Sequence, residues 1–232
     1  MLISSEGVVL GSIKYGDNSL ISHVFTKEKG LISLISSKTK KGKPGFVSYF
    51  QPLSFIQFVC YSSKKASVSR VKEVSFSDDY NAFETDIATN SLRYFIAEFL
   101  SKIIREHEQN NSLYQFLEKE LKQLHSRIDK RLIHFNFLVA LLNELGLQPH
   151  LNEEDPYFDL IEGTSVKVKP KHTDYCERET MLYFKNKISS NMSLNKTSRV
   201  KLLNTILRYY SIQLNVDLEN LKSKQVFEIV FG

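Results

Sequence analysis

The chain has 232 residues, 42% of them apolar and 25% charged, the balance of an ordinary globular protein long enough to bury a core. No run of about 18 apolar residues occurs, which excludes a helical membrane span, and two cysteines, Cys60 and Cys176, are too few for a four-thiolate zinc site. The net charge of +5 sits almost wholly in residues 1–80, with 11 basic against 6 acidic side chains, while 81–150 carry 8 against 9 and 151–232 carry 12 against 11, so an anionic partner is expected for the first third.

Up to about Ser77 the pattern is that of strands. Gly7–Ile13 is a β-rich run ended by the turn signal Tyr15-Gly16-Asp17-Asn18. Leu20–Thr26 and Leu31–Ile35 follow, linked by Lys27-Glu28-Lys29-Gly30 as a hairpin. Leu53–Tyr61 and Ala66–Val74 complete five short strands within about 75 residues, with no room for crossover helices. A small antiparallel barrel is expected; an OB-fold fits the length, and an SH3-like barrel has a similar strand count.

From about Phe83 the period changes to that of helices. Apolar stripes run through Ile87–Ile104, Leu113–Leu124 and Leu132–Leu145, the last closed by Gly146 and Pro149. A polar, irregular stretch at about 150–175 holds Pro156, Gly163 and Pro170. Helical patterning returns over Glu177–Lys187 and Leu194–Gln213, and the last 16 residues predict a short terminal helix. The fold class is therefore α+β: a five-stranded barrel over residues 1–80 and a helical domain over 81–232, with the boundary near 77–84. The opening Met1-Leu2-Ile3-Ser4-Ser5 lacks the basic start and apolar core of a secretion signal, so a cytoplasmic location is expected.

Between the third and fourth strands lie Lys38, Lys40, Lys41 and Lys43, spaced by Gly42, Pro44 and Gly45. Ammonium groups attract phosphates without regard to sequence, and each phosphate neutralised releases counterions. Phe46, Tyr49 and Phe50 follow; rings beside cations suit single-strand binding, because every base has a face to stack. The same rings could instead fill the barrel core, and short lysine clusters also occur as solvated loops. Lys64, Lys65, Arg70 and Lys72 add charge further along. On the helical side, Arg127, Lys130 and Arg131 lie between stripes rich in Leu and Phe. On the residues alone they read as a solvated turn between helices.

Catalytic patterns are missing. The sequence has no Gly-Lys-Ser/Thr phosphate loop and no Gly-Xaa-Ser-Xaa-Gly elbow. Glu153, Glu154, Asp155 and Asp159 form an acidic cluster that could hold a metal ion but reads better as solvated; His172 and Cys176 have ligand spacing on a helix, yet two ligands are too few. A non-enzymatic role without metal or cofactor is expected. A metal-dependent nuclease using residues 153–159 and an RNA-binding or translation-associated barrel are the competing readings.

Taken together, several short motifs in order carry a resemblance: Glu6-Gly7-Val8-Val9-Leu10, Tyr15-Gly16-Asp17-Asn18-Ser19-Leu20-Ile21, Thr26, Gly30, the lysine stretch from Ser37 to Lys43, Gln51-Pro52-Leu53, and Leu141–Leu147 with Gln148-Pro149. They resemble the RecO family of bacterial recombination mediators over nearly the whole length. The resemblance implies an OB-fold that binds single- and double-stranded DNA and anneals complementary strands. It also implies work with RecR and with the C-terminal tail of single-stranded DNA-binding protein to place RecA on DNA; that tail is acidic and ends in an aromatic residue, and Arg127, Lys130 and Arg131 are the candidates to rim a greasy pocket for it. By position it makes Lys38, Lys40, Lys41 and Lys43 the first DNA-contact candidates. Many family members carry a four-cysteine zinc site after the Gly-Xaa-Xaa-Pro turn; residues 150–170 here contain no cysteine, so this insert is expected to lack zinc and to be held by packing.

Overall fold

A computed structural model describes the backbone of all residues except 38, 41–42, 45, 62–66, 78–85, 105–108, 125–131, 186–193 and 232; side chains at 39, 40, 43, 44, 123 and 124 also lie outside the described set. The chain forms two compact units, Met1–Lys122 and Gln123–Gly232.

The first unit is built on a closed barrel. Its five strands are β1 (Leu2–Tyr15), β2 (Ser19–Thr26), β3 (Gly30–Ser37), β6 (Phe55–Tyr61) and β7 (Val68–Phe76), in the order β1-β2-β3-β7-β6. Two-residue strands β4 (Thr39–Lys40) and β5 (Lys43–Pro44) pair with each other between β3 and a 3-10 turn at Phe46–Phe50. β1 serves both edges of the sheet: Leu2–Val8 pair with β6, and Gly7–Tyr15 with β2 across a bulge between Val9 and Gly11. Gly7 lies where β1 meets both neighbours. A Cβ there would sit 2.6 Å from Val24 Cγ1 and 2.8 Å from the Phe25 carbonyl, so only glycine lets the strands close. The barrel is not wholly antiparallel as expected: β3 and β7 pair in parallel, Ser33 opposite Val68 and Ile35 opposite Arg70. That pairing closes the cylinder without an edge.

Alternation divides each strand between two environments. Val9, Leu20, Val24, Leu34, Ile56, Phe58, Cys60 and Val71 fill the interior, with Phe50 beside them. Outside, the cross-strand row Leu31–Phe25–Val8–Phe55 is also buried. Helix α1 (Ile87–Ile103) packs on β1, and Tyr114 of α2 (Asn111–Leu124) lies 6.2 Å from the Phe25 ring. Asp86 caps α1 by accepting from the Thr89 amide, and buried Arg93 donates twice to the Pro52 carbonyl at 3.1 and 2.8 Å. The arginine thus ties the helix to the chain just before β6.

The second unit packs α3 (Ile133–Glu144), α4 (Arg178–Lys185), α5 (Lys196–Leu214) and α6 (Lys222–Phe231) around buried leucines and aromatics. Gly146, at φ +68°, closes α3 as its sequence position suggested. The stretch at 150–175 contains more order than expected: β8 (Tyr157–Asp159), β9 (Thr164–Val166) and β10 (Tyr175–Glu177) form a sheet of order β10-β8-β9. Phe158 of β8 meets Phe184 and Tyr209 at 5.2 and 5.4 Å between ring centres. The insert is anchored by that aromatic trio and by its own carboxylates.

Candidate nucleic-acid interface

The barrel register defines one outward row. Ile13 lies opposite Ile21, Ile21 opposite Ile35, Ile35 opposite Arg70, Arg70 opposite Tyr61, and Tyr61 opposite Leu2. By alternation these side chains face outward, on the same side as the buried Leu31–Phe25–Val8–Phe55 row. Beyond them Tyr15 pairs with Ser19, and Ser19 with Ser37. Nearer the middle of the same face, the His23 ring lies 3.1 Å from the Ser33 hydroxyl.

The β1–β2 turn at 16–18 and the segment after Ser37 leave from one end of the strands, and the segment joining Tyr61 to Val68 leaves from the other, because β3 and β7 run parallel; the outward row links the three. In an OB-fold, strands 2 and 3 with the first and last hairpin loops are the face that takes oligonucleotides. The second of these segments carries Lys38, Lys40, Lys41 and Lys43, and the third carries Lys64 and Lys65. The side chains of all six lie outside the described residues; the backbones of Lys40 and Lys43 pair as β4 and β5. Arg70 is exposed on the row, and among the described residues no carboxylate pairs with it. Exposed Lys14, not singled out from the sequence, lies opposite Leu20, on the other face of β1 from Ile13 and Tyr15. Asp17 of the β1–β2 turn is an acidic neighbour. Lys72, by contrast, bonds Glu73 at 3.1 Å, which lifts its pKa above the usual lysine value. At the β2–β3 turn charges are compensated locally: Lys27 approaches Glu6 at 3.8 Å, and Glu28 accepts from Ser5 at 2.6 Å.

The rings that follow the lysines take the core alternative. Phe50 is buried in the barrel core, Phe46 and Tyr49 pack against it, and Tyr49 lies 4.7 Å from Phe76. Phe50 thus plugs the barrel, with Phe46 and Tyr49 half-buried against it. The exposed rings are Tyr15 and Tyr61, at 58% and 51% exposure. Strand parity was the available signal: Tyr61 continues the outward series Gln57–Val59 at the end of β6.

Arg127, Lys130 and Arg131 lie outside the described residues. The acidic cluster is committed elsewhere. Asp159 accepts from the Ile161 and Glu162 amides at 2.9 and 3.2 Å and meets His172 Nε2 at 3.1 Å. Asp155 accepts from Ser165 at 2.8 Å, and Glu153 pairs with Lys185, which holds its carboxyl below the usual range. Cys176 stands in β10 and His172 in a loop, so the pair does not share a helix. Burial pushes the Cys176 thiol up to about 12, far from a metal-binding thiolate. Among the described residues no three His, Cys, Asp or Glu side chains are grouped to hold a metal ion, and no helix is long and apolar enough to cross a membrane.

Comparison with known proteins agrees with this architecture. Residues 1–80 match the family model "Recombination protein O N terminal", and residues 84–222 match "Recombination protein O C terminal". Proteins named DNA repair protein RecO are similar along their entire length and along all of this chain: 31% identical in Flavobacterium psychrophilum, and 29% in both Bacteroides fragilis and Flavobacterium johnsoniae. With a closed barrel in the first segment and helices in the second, the chain belongs to the RecO family of DNA repair proteins.

Proposed function

We propose that this chain is a recombination mediator whose first 80 residues hold single- and double-stranded DNA, anneal complementary strands and, with RecR, help load RecA onto DNA coated by single-stranded DNA-binding protein. One observation carries the reading: Ile35, two residues before β3 ends at Ser37, lies opposite Arg70, which lies opposite Tyr61 at the end of β6, so both lysine-bearing segments join strands that border one outward row on which Arg70 is exposed. Family membership supports it. Complementary strands repel each other; a cationic surface that holds both lowers that cost and raises their encounter frequency. No bond is broken, so the mechanism asks for no catalytic side chain. Lys38, Lys40, Lys41, Lys43, Lys64, Lys65 and Arg70 contact phosphates without reading bases, and Arg127, Lys130 and Arg131 rim the site for the acidic partner tail.

Strand annealing on oligonucleotides coated with single-stranded DNA-binding protein tests the proposal. The chain should accelerate pairing, and more so with RecR. No acceleration, or equal preference for RNA strands in direct competition, would favour a different role for the barrel.

A further inference from the structure

Among the described residues, six large apolar side chains of the barrel are exposed: Leu2, Ile13 and Tyr61 on the outward row just described, Tyr15 two residues past Ile13 on the same face, and Met1 and Val47 outside it. Exposing them costs solvation free energy that a lone Leu or Ile scattered on a surface would not concentrate in one place. The rest of the barrel's outer surface behaves differently: Val8, Phe25 and Phe55 are covered within the first unit, at 0%, 0% and 2% exposure. The row is therefore an apolar part of the barrel surface left uncovered, and the Arg70 guanidinium on it selects a polyanion as its occupant.

Deepening the proposed DNA binding, on which it rests, we infer that Tyr61 and Tyr15 are base-stacking positions that make the barrel prefer single strands to duplex. Tyr61 and Arg70 are direct cross-strand partners, about 5 Å apart at Cα. A base lying on the Tyr61 ring places its own phosphate within reach of the Arg70 guanidinium. From Tyr61 the outward row continues through Arg70, Ile35 and Ile21 to Ile13, beside Tyr15 on the same face of β1. That path crosses four strand spacings, about 19 Å along the curved sheet, the length of about five or six stacked nucleotides at roughly 3.4 Å each. The two rings mark its ends, and the isoleucines form an apolar floor between them. A duplex keeps its base faces stacked on one another, so the rings add nothing to duplex binding, whereas the lysines serve both forms.

Anisotropy titrations of 12-nucleotide single strands and the matching duplex test this with the full chain. Tyr61→Ala and Tyr15→Ala should each weaken single-strand binding by about 5- to 150-fold, the range of base–aromatic stacking, with duplex affinity and salt slope unchanged. Tyr61→Phe and Tyr15→Phe, which keep the rings, should bind as the unchanged protein does. A strand of abasic sites should bind the unchanged protein more weakly than a normal strand binds either alanine variant, since it forfeits stacking on both rings. Unchanged single-strand affinity in both alanine variants, or equal losses on single strand and duplex, overturns the stacking assignment while leaving the DNA-binding reading intact; the row would then be a protein-docking face. If the unchanged protein ignores all strands at low salt, the underlying reading falls as well.

Discussion

The insert at 150–175 makes a quantitative prediction at Gly163. This residue closes the β8–β9 turn at φ +67°, and a Cβ added there would lie 3.0 Å from the Tyr209 hydroxyl. That hydroxyl donates to the Leu147 carbonyl at 3.0 Å, tying α5 to the segment after α3. Gly163→Ala thus incurs about 1–2 kcal/mol for a left-handed alanine and about 1 kcal/mol for displacing the tyrosine from its hydrogen bond. A total near 2–3 kcal/mol is expected by urea unfolding. Tyr209→Phe alone removes only the hydrogen bond, about 1 kcal/mol. In the double variant the new methyl group meets no oxygen, so the two losses should fall short of additivity by roughly 1 kcal/mol. Additive losses, or a neutral Gly163→Ala, would show that the insert is not held against α5 as described.

Three further outcomes follow. His134 is fully buried against Phe227 and Phe231, and burial, aided by the Arg199 charge, depresses its pKa to about 3. The unfolded chain protonates near 6.5 and so binds more protons between those values; stability is full above about 6.5 and falls toward pH 3 by ~1.4 kcal/mol per unit. Denaturant titrations of His134→Leu across that window should show this component gone, and an unchanged pH slope would contradict the assignment. Gly7→Ala should destabilise the first unit by about 1–3 kcal/mol through overpacking against Val24 and Phe25, read as a lowered melting temperature. Arg208 donates to both oxygens of Asp174 at 2.7 and 2.9 Å and keeps that carboxyl below its usual pKa; Arg208→Met should speed amide exchange at Leu160, whose amide donates to the Asp174 carbonyl.

Strand and helix positions were legible because burial enforces the period: Leu20, Ser22 and Val24 point inward while Ile21 and His23 point outward, and the α1 stripe is the buried face of that helix. The parallel β3–β7 pairing was not, since it joins strands far apart in sequence and depends on closing the cylinder. Strands of three residues such as β8 are too short to show a period. Aromatics near the lysines drew attention by proximity in sequence, yet Phe46, Tyr49 and Phe50 turn into the core. Parity marks Tyr61 as outward, but that it lies on one row with Arg70, Ile35, Ile21 and Ile13 becomes visible only once register is set. The carboxylates at 153–159 looked available because sequence does not reveal that Asp159 caps its own turn.

Salt dependence of single-strand affinity tests the central claim most directly, comparing the unchanged chain with Lys40→Glu, Lys41→Glu. The account predicts steep weakening with added salt, and for the double variant weaker binding to every sequence alike with a shallower slope, reduced by at least about 0.7 for each phosphate no longer neutralised. Equal affinity and an equal slope in the two proteins would remove the lysine segment, and with it the row, from the DNA path.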